Sequence, residues 1–483
     1  MRIQSLVRPS GLKMMALGDS MSAGMQDCTL SRQTQQCSMP RMVADQLSLD
    51  FRQPEFDERG APPVVFEGGR VDLGQVALRY SQVGLAAAVP LGLLNAGFLP
   101  HENLLKPLDW ATVIGHVDQP PPYDNVAISG FELRHLTDTR NVYDLMGEML
   151  DGSESPEGLS FYEPYVKGVL QHGQPAAAGR SQVDQAVANQ PDLITFFAGV
   201  NDFWEATSSG CLNDATLTPM EDRPWELGGG KTTGQPKKGL RSALVGSEGA
   251  ITRLLAETQA HILELTVPDV TAFPQLREVG KPIGKLPFRV ILKGRDLTEQ
   301  VEQWVIPDQI RGQGTDGRTQ FPPGSKVSLA TIAAGLAHWK DPNGVFTEDQ
   351  VLDPEEAATI RHHIDDYNQL LRHTAETNER IHLVDLSSWF EGVKAGLELK
   401  GEGAPQTVGP GFTGVVDEHG RQGIFSYDGL HFSQAGNALV ANQVLQAARR
   451  LAARPGFEQL GQAQPVDEKR ALAEDPRLRP ADS

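Results

Sequence analysis

Cysteine is scarce in this chain: Cys28, Cys37 and Cys211 are the only ones among 483 residues. An odd number settles no redox compartment, and without a paired-cysteine motif there is no sequence basis for a structural metal site. Positive charge is in deficit as well, with 43 Lys and Arg against 62 Asp and Glu for a net charge of -19. That balance argues against nucleic acid or an anionic membrane surface as the main partner. Long apolar runs are missing. The longest, Val83 to Phe98, is broken by Gly84, Pro90, Gly92, Asn95 and Gly97, and a bilayer span needs about 20 apolar residues. No transmembrane segment is therefore expected. Met1 to Lys13 lacks the apolar centre of a secretory signal. A phosphate-cradling glycine loop and internal repeats are also absent.

What is present is a chain long enough for a sizeable core, with short apolar runs alternating with helical patterns. Met14 to Leu17 reads as a first strand, followed by Asn125 to Ile128, Asp192 to Ala198, Ile262 to Thr266 and Ile381 to Leu386. None alternates strictly, as expected of strands covered on both faces. Between them lie a helix capped by Ser38 and running to about Leu49, and patterns over Ser181 to Asn189 and Ile251 to Ala260. A long helix begins at Asp353-Pro354-Glu355-Glu356, where a capping aspartate, a proline in the first turn and a glutamate three residues on form a start signal. Ile360, Ile364, Tyr367 and Leu371 supply its buried stripe, and Ser433 caps a final helix. Alternating strands and helices imply a parallel sheet.

Three excursions interrupt this pattern, at about 51–122, 203–239 and 272–343, all rich in proline and glycine. A hairpin is expected around Arg70 to Tyr80 in the first. The second and third leave the C-terminal ends of strands, where open parallel sheets bind ligands. They are read either as lids or as a peripheral subdomain. Val83 to Phe98 is read as a buried loop, or alternatively as an apolar wall for an acyl chain. The tail over 454–483 is charged, contains proline and is expected to be disordered.

The chemistry-bearing stretch is Leu17-Gly18-Asp19-Ser20-Met21-Ser22, which sets a serine on a sharp turn at the end of the first strand. Far downstream, Phe197-Ala198-Gly199-Val200-Asn201-Asp202 closes another strand, and Tyr427-Asp428-Gly429-Leu430-His431-Phe432 precedes the last helix. Ester hydrolysis needs a nucleophile, a base and donors for the oxyanion. Ser20 supplies the first. His431 can serve as the base, and Asp428 three residues earlier can orient its ring. Asn201 carries side-chain N–H donors, and Gly130 and Gly199 permit close backbone approach.

These blocks, in this order and with Asn125-Val126-Ala127-Ile128-Ser129-Gly130 between the first two, resemble the SGNH or GDSL hydrolases. The likeness runs from about Lys13 to Arg450. Gln33 to Pro40, Phe51-Arg52-Gln53-Pro54, Val267-Pro268-Asp269-Val270-Thr271 and Asp366-Tyr367-Asn368 resemble the larger exported bacterial lipase and esterase members. Met21 stands where leucine is common, a swap of similar volume. The resemblance implies a three-layer α/β/α sandwich, flavodoxin-like, with five parallel strands in one domain over 1–453. It implies Ser20, Asp428 and His431 as catalytic residues, an oxyanion hole from the N–H groups of Ser20 and Gly130 and the amide of Asn201, and export from the cell. No cofactor or metal is called for, and the partner expected is a small-molecule or lipid ester.

Lipid or lysophospholipid esters are the favoured substrates, with carbohydrate acetates as the alternative. A non-catalytic binding protein on the same scaffold is the alternative of another class, and the set Ser20, Asn201, Asp428 and His431 counts against it. A Cys28 to Cys37 disulfide and three free thiols are both compatible with the sequence. His362 and Asp366 share a helix face, which reads as solvated polar surface rather than a metal site. Asp417-Glu418-His419 sits in a glycine-rich loop with no strand before it.

Overall fold

The computed structural model describes residues 11–54, 56, 66–67, 70–72, 122–137, 169–170, 181–214, 216–227, 231–311, 314, 317–332 and 346–478. Four strands form the central sheet: β1 (Met14–Gly18), β2 (Leu193–Phe197), β3 (His261–Leu265) and β4 (Ile381–Val384). They lie side by side in that order, all parallel, with Met14 opposite Leu193, Leu193 opposite His261 and Ile262 opposite Ile381. Every residue of β1, β2 and β3 is buried. This is why these runs are apolar without alternation: both faces of each strand are covered.

The sheet thus has four strands among the described residues where five were expected. The segment read as the second strand does run beside β1, with Ala16 N–H to Asp124, Val126 N–H to Ala16 and Ile128 N–H to Gly18, yet it forms only a single parallel bridge, Ala16 to Asn125. Asn125 explains the difference. Its side-chain oxygen accepts from Ala127 N–H at 3.2 Å and its amide donates to Ser22 O at 3.0 Å, a local turn that competes with a regular ladder.

The helices that bear on the site are α1 (Ser20–Ala23), α2 (Met39–Gln46), α3 (Gln182–Asn189), α4 (Asn201–Ser209), α5 (Ala250–Glu257), α6 (Pro354–Thr377), α7 (Gln434–Arg450) and α8 (Glu468–Ala473), and all but α4 and α5 begin at a side-chain cap. Asp353 accepts from the N–H groups of Glu355 and Glu356 while Glu356 accepts from Asp353 N–H, the reciprocal cap that the sequence spells. Ile360, Ile364, Tyr367 and Leu371 are buried in the main core with Leu17, Phe196 and Leu263. Helix α7 packs on α2, α8 and β4. Two of the quoted blocks join through Asn368, whose amide pairs with both backbone groups of Val267 at 2.8 Å. Two others join through Gln35 and Gln53, which bond to Pro54 and Gln35 backbone oxygens.

The excursions behave differently from one another. The one expected from 203 begins later, because Phe203, Trp204, Ala206 and Thr207 form a buried helical face within α4, and α4 packs against α6. Past it, Arg223–Leu227 and Lys231–Lys237 pair as a hairpin. The excursion over 272–343 has its own small core of Val279, Ile283, Ile306, Ile310, Phe321, Val327 and neighbours. A hairpin was expected around Arg70 to Tyr80, of which residues 73–80 lie outside the described residues; the one seen is earlier, Phe66–Glu67 against Arg70–Asp72, and the latter pairs with Arg289–Leu292. Residues 73–121, including the Val83 to Phe98 run, lie outside the described residues.

The tail was expected to be disordered from 454. It is instead packed as far as 478, with Leu460, Ala471, Leu472, Asp475 and Arg477 buried. Its charged composition misleads because Arg477 forms buried ion pairs with Asp27 and Asp475 rather than being solvated. Among the described residues, no helix is long and apolar enough to cross a membrane.

Candidate active site

The nucleophile turn is set by the end of β1. Gly18 has φ 148°, and a Cβ there would collide with the carbonyl oxygen of Phe197 on the neighbouring strand, so only glycine fits. Gln182 on α3 holds the same residue from both sides, accepting from Gly18 N–H and donating to Gly18 O, both at 2.8 Å. Asp19 then caps α1, accepting from Met21 N–H at 2.9 Å, and Ser20 becomes the first residue of that short helix. Asp19 is wholly buried. Burial pushes its carboxyl up to about 7, against hydrogen bonds from Met21 and Val200 and the charge of His431.

The histidine arrives on a tight loop between Gln422–Phe425 and α7, closed by Ser426 N–H to His431 O and Gly429 N–H to Ser426 O. His431 Nε2 lies 2.8 Å from Ser20 Oγ, and His431 Nδ1 lies 2.8 Å from Asp428 Oδ2. A carboxylate accepts only, so the neutral ring carries its proton on Nδ1 and offers the Nε2 lone pair to the serine hydroxyl. All three residues are buried, with Ser20 6% exposed.

Asp428 is heavily bonded. Its Oδ1 accepts from Ser426 Oγ at 3.0 Å and from the N–H groups of Leu430 and His431 at 2.9 Å. Its Oδ2 accepts from Cys28 N–H at 2.7 Å as well as from His431. Burial alone would raise its carboxyl, but the charge of His431 and these hydrogen bonds outweigh that and hold it well below the usual carboxylate range.

Asn201 opens α4 directly after β2. Its amide donates to Phe131 O at 3.0 Å, while the neighbouring Asp202 accepts from Leu133 N–H at 2.8 Å. Together they tie the loop after Gly130 to the start of α4. Gly130 itself has φ 79° and is exposed. Gly199 has φ 112°, and a Cβ there would come within 2.6 Å of the Tyr367 ring. No acceptor among the described residues meets the N–H of Ser20 or of Gly130.

The structure therefore brings Ser20, His431 and Asp428 into one hydrogen-bonded line. The sequence reading missed the supports of Asp428: Ser426, which directly precedes the Tyr427-Asp428 block, and Cys28, for which no local signal exists. The excursion over 272–343 reaches the same loop, since Gln275 N–H donates to Gly429 O at 3.1 Å and Phe288 meets the Tyr427 ring edge-on at 6.1 Å. Cys28, Cys37 and Cys211 are all free thiols. His362 lies 3.6 Å from Asp366 on an exposed face, and Asp417 is engaged by Arg421 at 2.7 Å. Among the described residues, no group of His, Cys, Asp and Glu could hold a metal ion.

No curated protein and no solved structure matches the chain. A family match covers residues 117–444, which include Gly130, Asn201, Asp428 and His431, while Ser20 lies before it and joins them through geometry alone. Spanning more than half of the 483 residues, that match shows that the chain belongs to the GDSL-like lipase/acylhydrolase family of ester-hydrolysing enzymes.

Proposed function

We propose that the chain hydrolyses carboxylic esters through an acyl-enzyme on Ser20. The observation that carries this reading is the line Ser20 Oγ, His431 Nε2, His431 Nδ1, Asp428 Oδ2, with both gaps at 2.8 Å. His431 takes the Ser20 proton as Oγ attacks the carbonyl carbon, and Asp428 stabilises the resulting imidazolium. The oxyanion is met by the N–H groups of Ser20 and Gly130 and by the Asn201 amide. Collapse expels the alcohol, which leaves with the proton held by His431. Water, deprotonated by the same ring, then attacks the acyl carbon and releases the acid and free Ser20.

For the substrate, we propose lipid-type acyl esters, with a carbohydrate acetate as the alternative. The resemblance of several blocks to the larger lipase and esterase members motivates the first, as does an excursion that abuts the catalytic loop through Gln275 and Phe288. Labelling by a fluorophosphonate with mapping of the modified peptide tests the chemistry. Ser20 should be labelled and Ser20→Ala should not, with kcat lower by roughly 10⁶. A folded sample that resists labelling would instead favour a non-catalytic binder. Hydrolysis rates across esters of increasing acyl length test the substrate class, and a maximum at acetate would overturn the lipid reading.

A further inference from the structure

Asp27 and Cys28 stand consecutively in the left-handed backbone region, with φ 55° and 58°. Neither is glycine, and such residues persist only where surrounding contacts hold them. The effect of this conformation is to aim Cys28 N–H at Asp428 Oδ2. The contacts that hold it converge on Asp27. Its N–H donates to Ser426 Oγ at 3.0 Å, and its Oδ1 accepts from Tyr427 N–H at 2.7 Å. The guanidinium of Arg477 closes on both carboxyl oxygens, Nε to Oδ1 at 3.0 Å and Nη2 to Oδ2 at 2.7 Å.

Arg477 is itself fixed and 2% exposed at its side chain. Nη1 donates to Asp475 at 3.1 Å, Nη2 to Gln26 at 3.0 Å, and the guanidinium lies 5.4 Å from the Tyr427 ring centre. Asp475 in turn accepts from Ala435 N–H in the first turn of α7. An ion pair that merely pinned the tail could have formed anywhere on the surface. Here the Arg477 side chain is buried, and the surroundings of Asp27 lead to the triad: Ser426 donates its hydroxyl hydrogen bond to Asp428, Tyr427 precedes Asp428 in the chain, and Cys28, next to Asp27, donates to Asp428 through its N–H.

We propose that Arg477, from a segment beyond the matched span 117–444, is a positioning residue for the triad: by gripping Asp27 it keeps the Cys28 N–H on Asp428, and so keeps His431 aligned with Ser20. The inference rests on the triad reading above. Its electrostatic logic is simple. Asp27 is largely shielded from water and feels the charge of Asp428, two penalties on its carboxylate that Arg477 counters. Without that cation, relief comes when the strained loop swings outward, carrying the Cys28 N–H away from Asp428.

The test uses the full chain and two readouts, the rate of Ser20 labelling by a fluorophosphonate and steady-state hydrolysis of a short p-nitrophenyl ester. Arg477→Gln should slow labelling and lower kcat by roughly ten- to a hundredfold, the scale set by one lost bond to a charged group, with KM little changed. Asp27→Asn should act in the same direction. The double variant should be no slower than the slower single one, because both break the same link. A folded Arg477→Gln that labels at the wild-type rate overturns the proposal. If that variant does not fold, Asp27→Asn decides, and wild-type rates there overturn it equally. Failure of the unmodified protein to label is a different outcome, because it removes the triad reading itself.

Discussion

Replacing Asp428 with asparagine puts an amide where the structure wants acceptors on both sides. If the amide oxygen takes the Oδ1 place, it still serves Ser426, Leu430 and His431 N–H. The NH₂ group then faces Cys28 N–H and His431 Nδ1, two donors in the native arrangement. His431 must change tautomer, so that Nδ1 accepts and Nε2 carries the proton toward Ser20. A ring in that state cannot take the serine proton. The flipped amide is worse, since its NH₂ meets the three donors around Oδ1. The expected result is a fall in kcat of about 10⁴, the scale seen when a triad carboxylate becomes an amide. Stability should fall too, by ~1–3 kcal/mol for the stranded Cys28 N–H alone.

Hydrolysis of a soluble p-nitrophenyl ester measures the first effect and urea unfolding the second. A folded variant with kcat within tenfold of the original would refute the reasoning. The stability difference also has a sign in pH. The folded Asp428 carboxyl is held below its ordinary value of 3.8, so its contribution is fully present above that pH and is lost as pH falls through the folded value. The gap between the two proteins should therefore narrow in acid.

Asn201→Ala should lower kcat by about 10² to 10³ through loss of one oxyanion donor; a near-normal rate would remove Asn201 from the mechanism. Glu264 on β3 is buried, and burial pushes its carboxyl up to about 8 against a hydrogen bond from Thr374. Between its ordinary value of 4.5 and about 8 the unfolded chain binds fewer protons at this site, so folding stability drops as pH rises. Glu264→Gln keeps an acceptor for Thr374 and should remove that drop, gaining on the order of a few kcal/mol relative to the original above pH 8. Parallel stability curves from pH 5 to pH 9 would show that Glu264 does not titrate in this way.

The helix starts were legible because each is written within four residues: Ser38, Ser181, Asp353 and Ser433 all accept from the backbone as their sequences require. The strands were legible because burial on both faces favours short, mainly apolar runs without alternation. The reading of Asn125 to Ile128 as a regular second strand failed, because Asn125 turns its own backbone with a side-chain bond that apolarity does not reveal. The tail was misread for a related reason. Arg477 and Asp475 look like solvated charge in the sequence, and only their buried partners make them structural.

Residue types alone determined the kind of chemistry available: a serine on a strand-ending turn, an imidazole three residues after a carboxylate, and an amide opening a helix. Local order determined which of these sit at strand ends, since backbone preference acts over a few neighbours. Whether they meet was decided in three dimensions. Ser20 and His431 are 411 positions apart and Cys28 and Asp428 are 400 apart, so their contacts come from the order of the parallel strands and the wrap of the C-terminal segment. The same holds for Arg477, whose partner Asp27 is 450 positions away. No periodicity carries information across such distances; the shared core does, by burying β1 beside β2 and leaving one common rim.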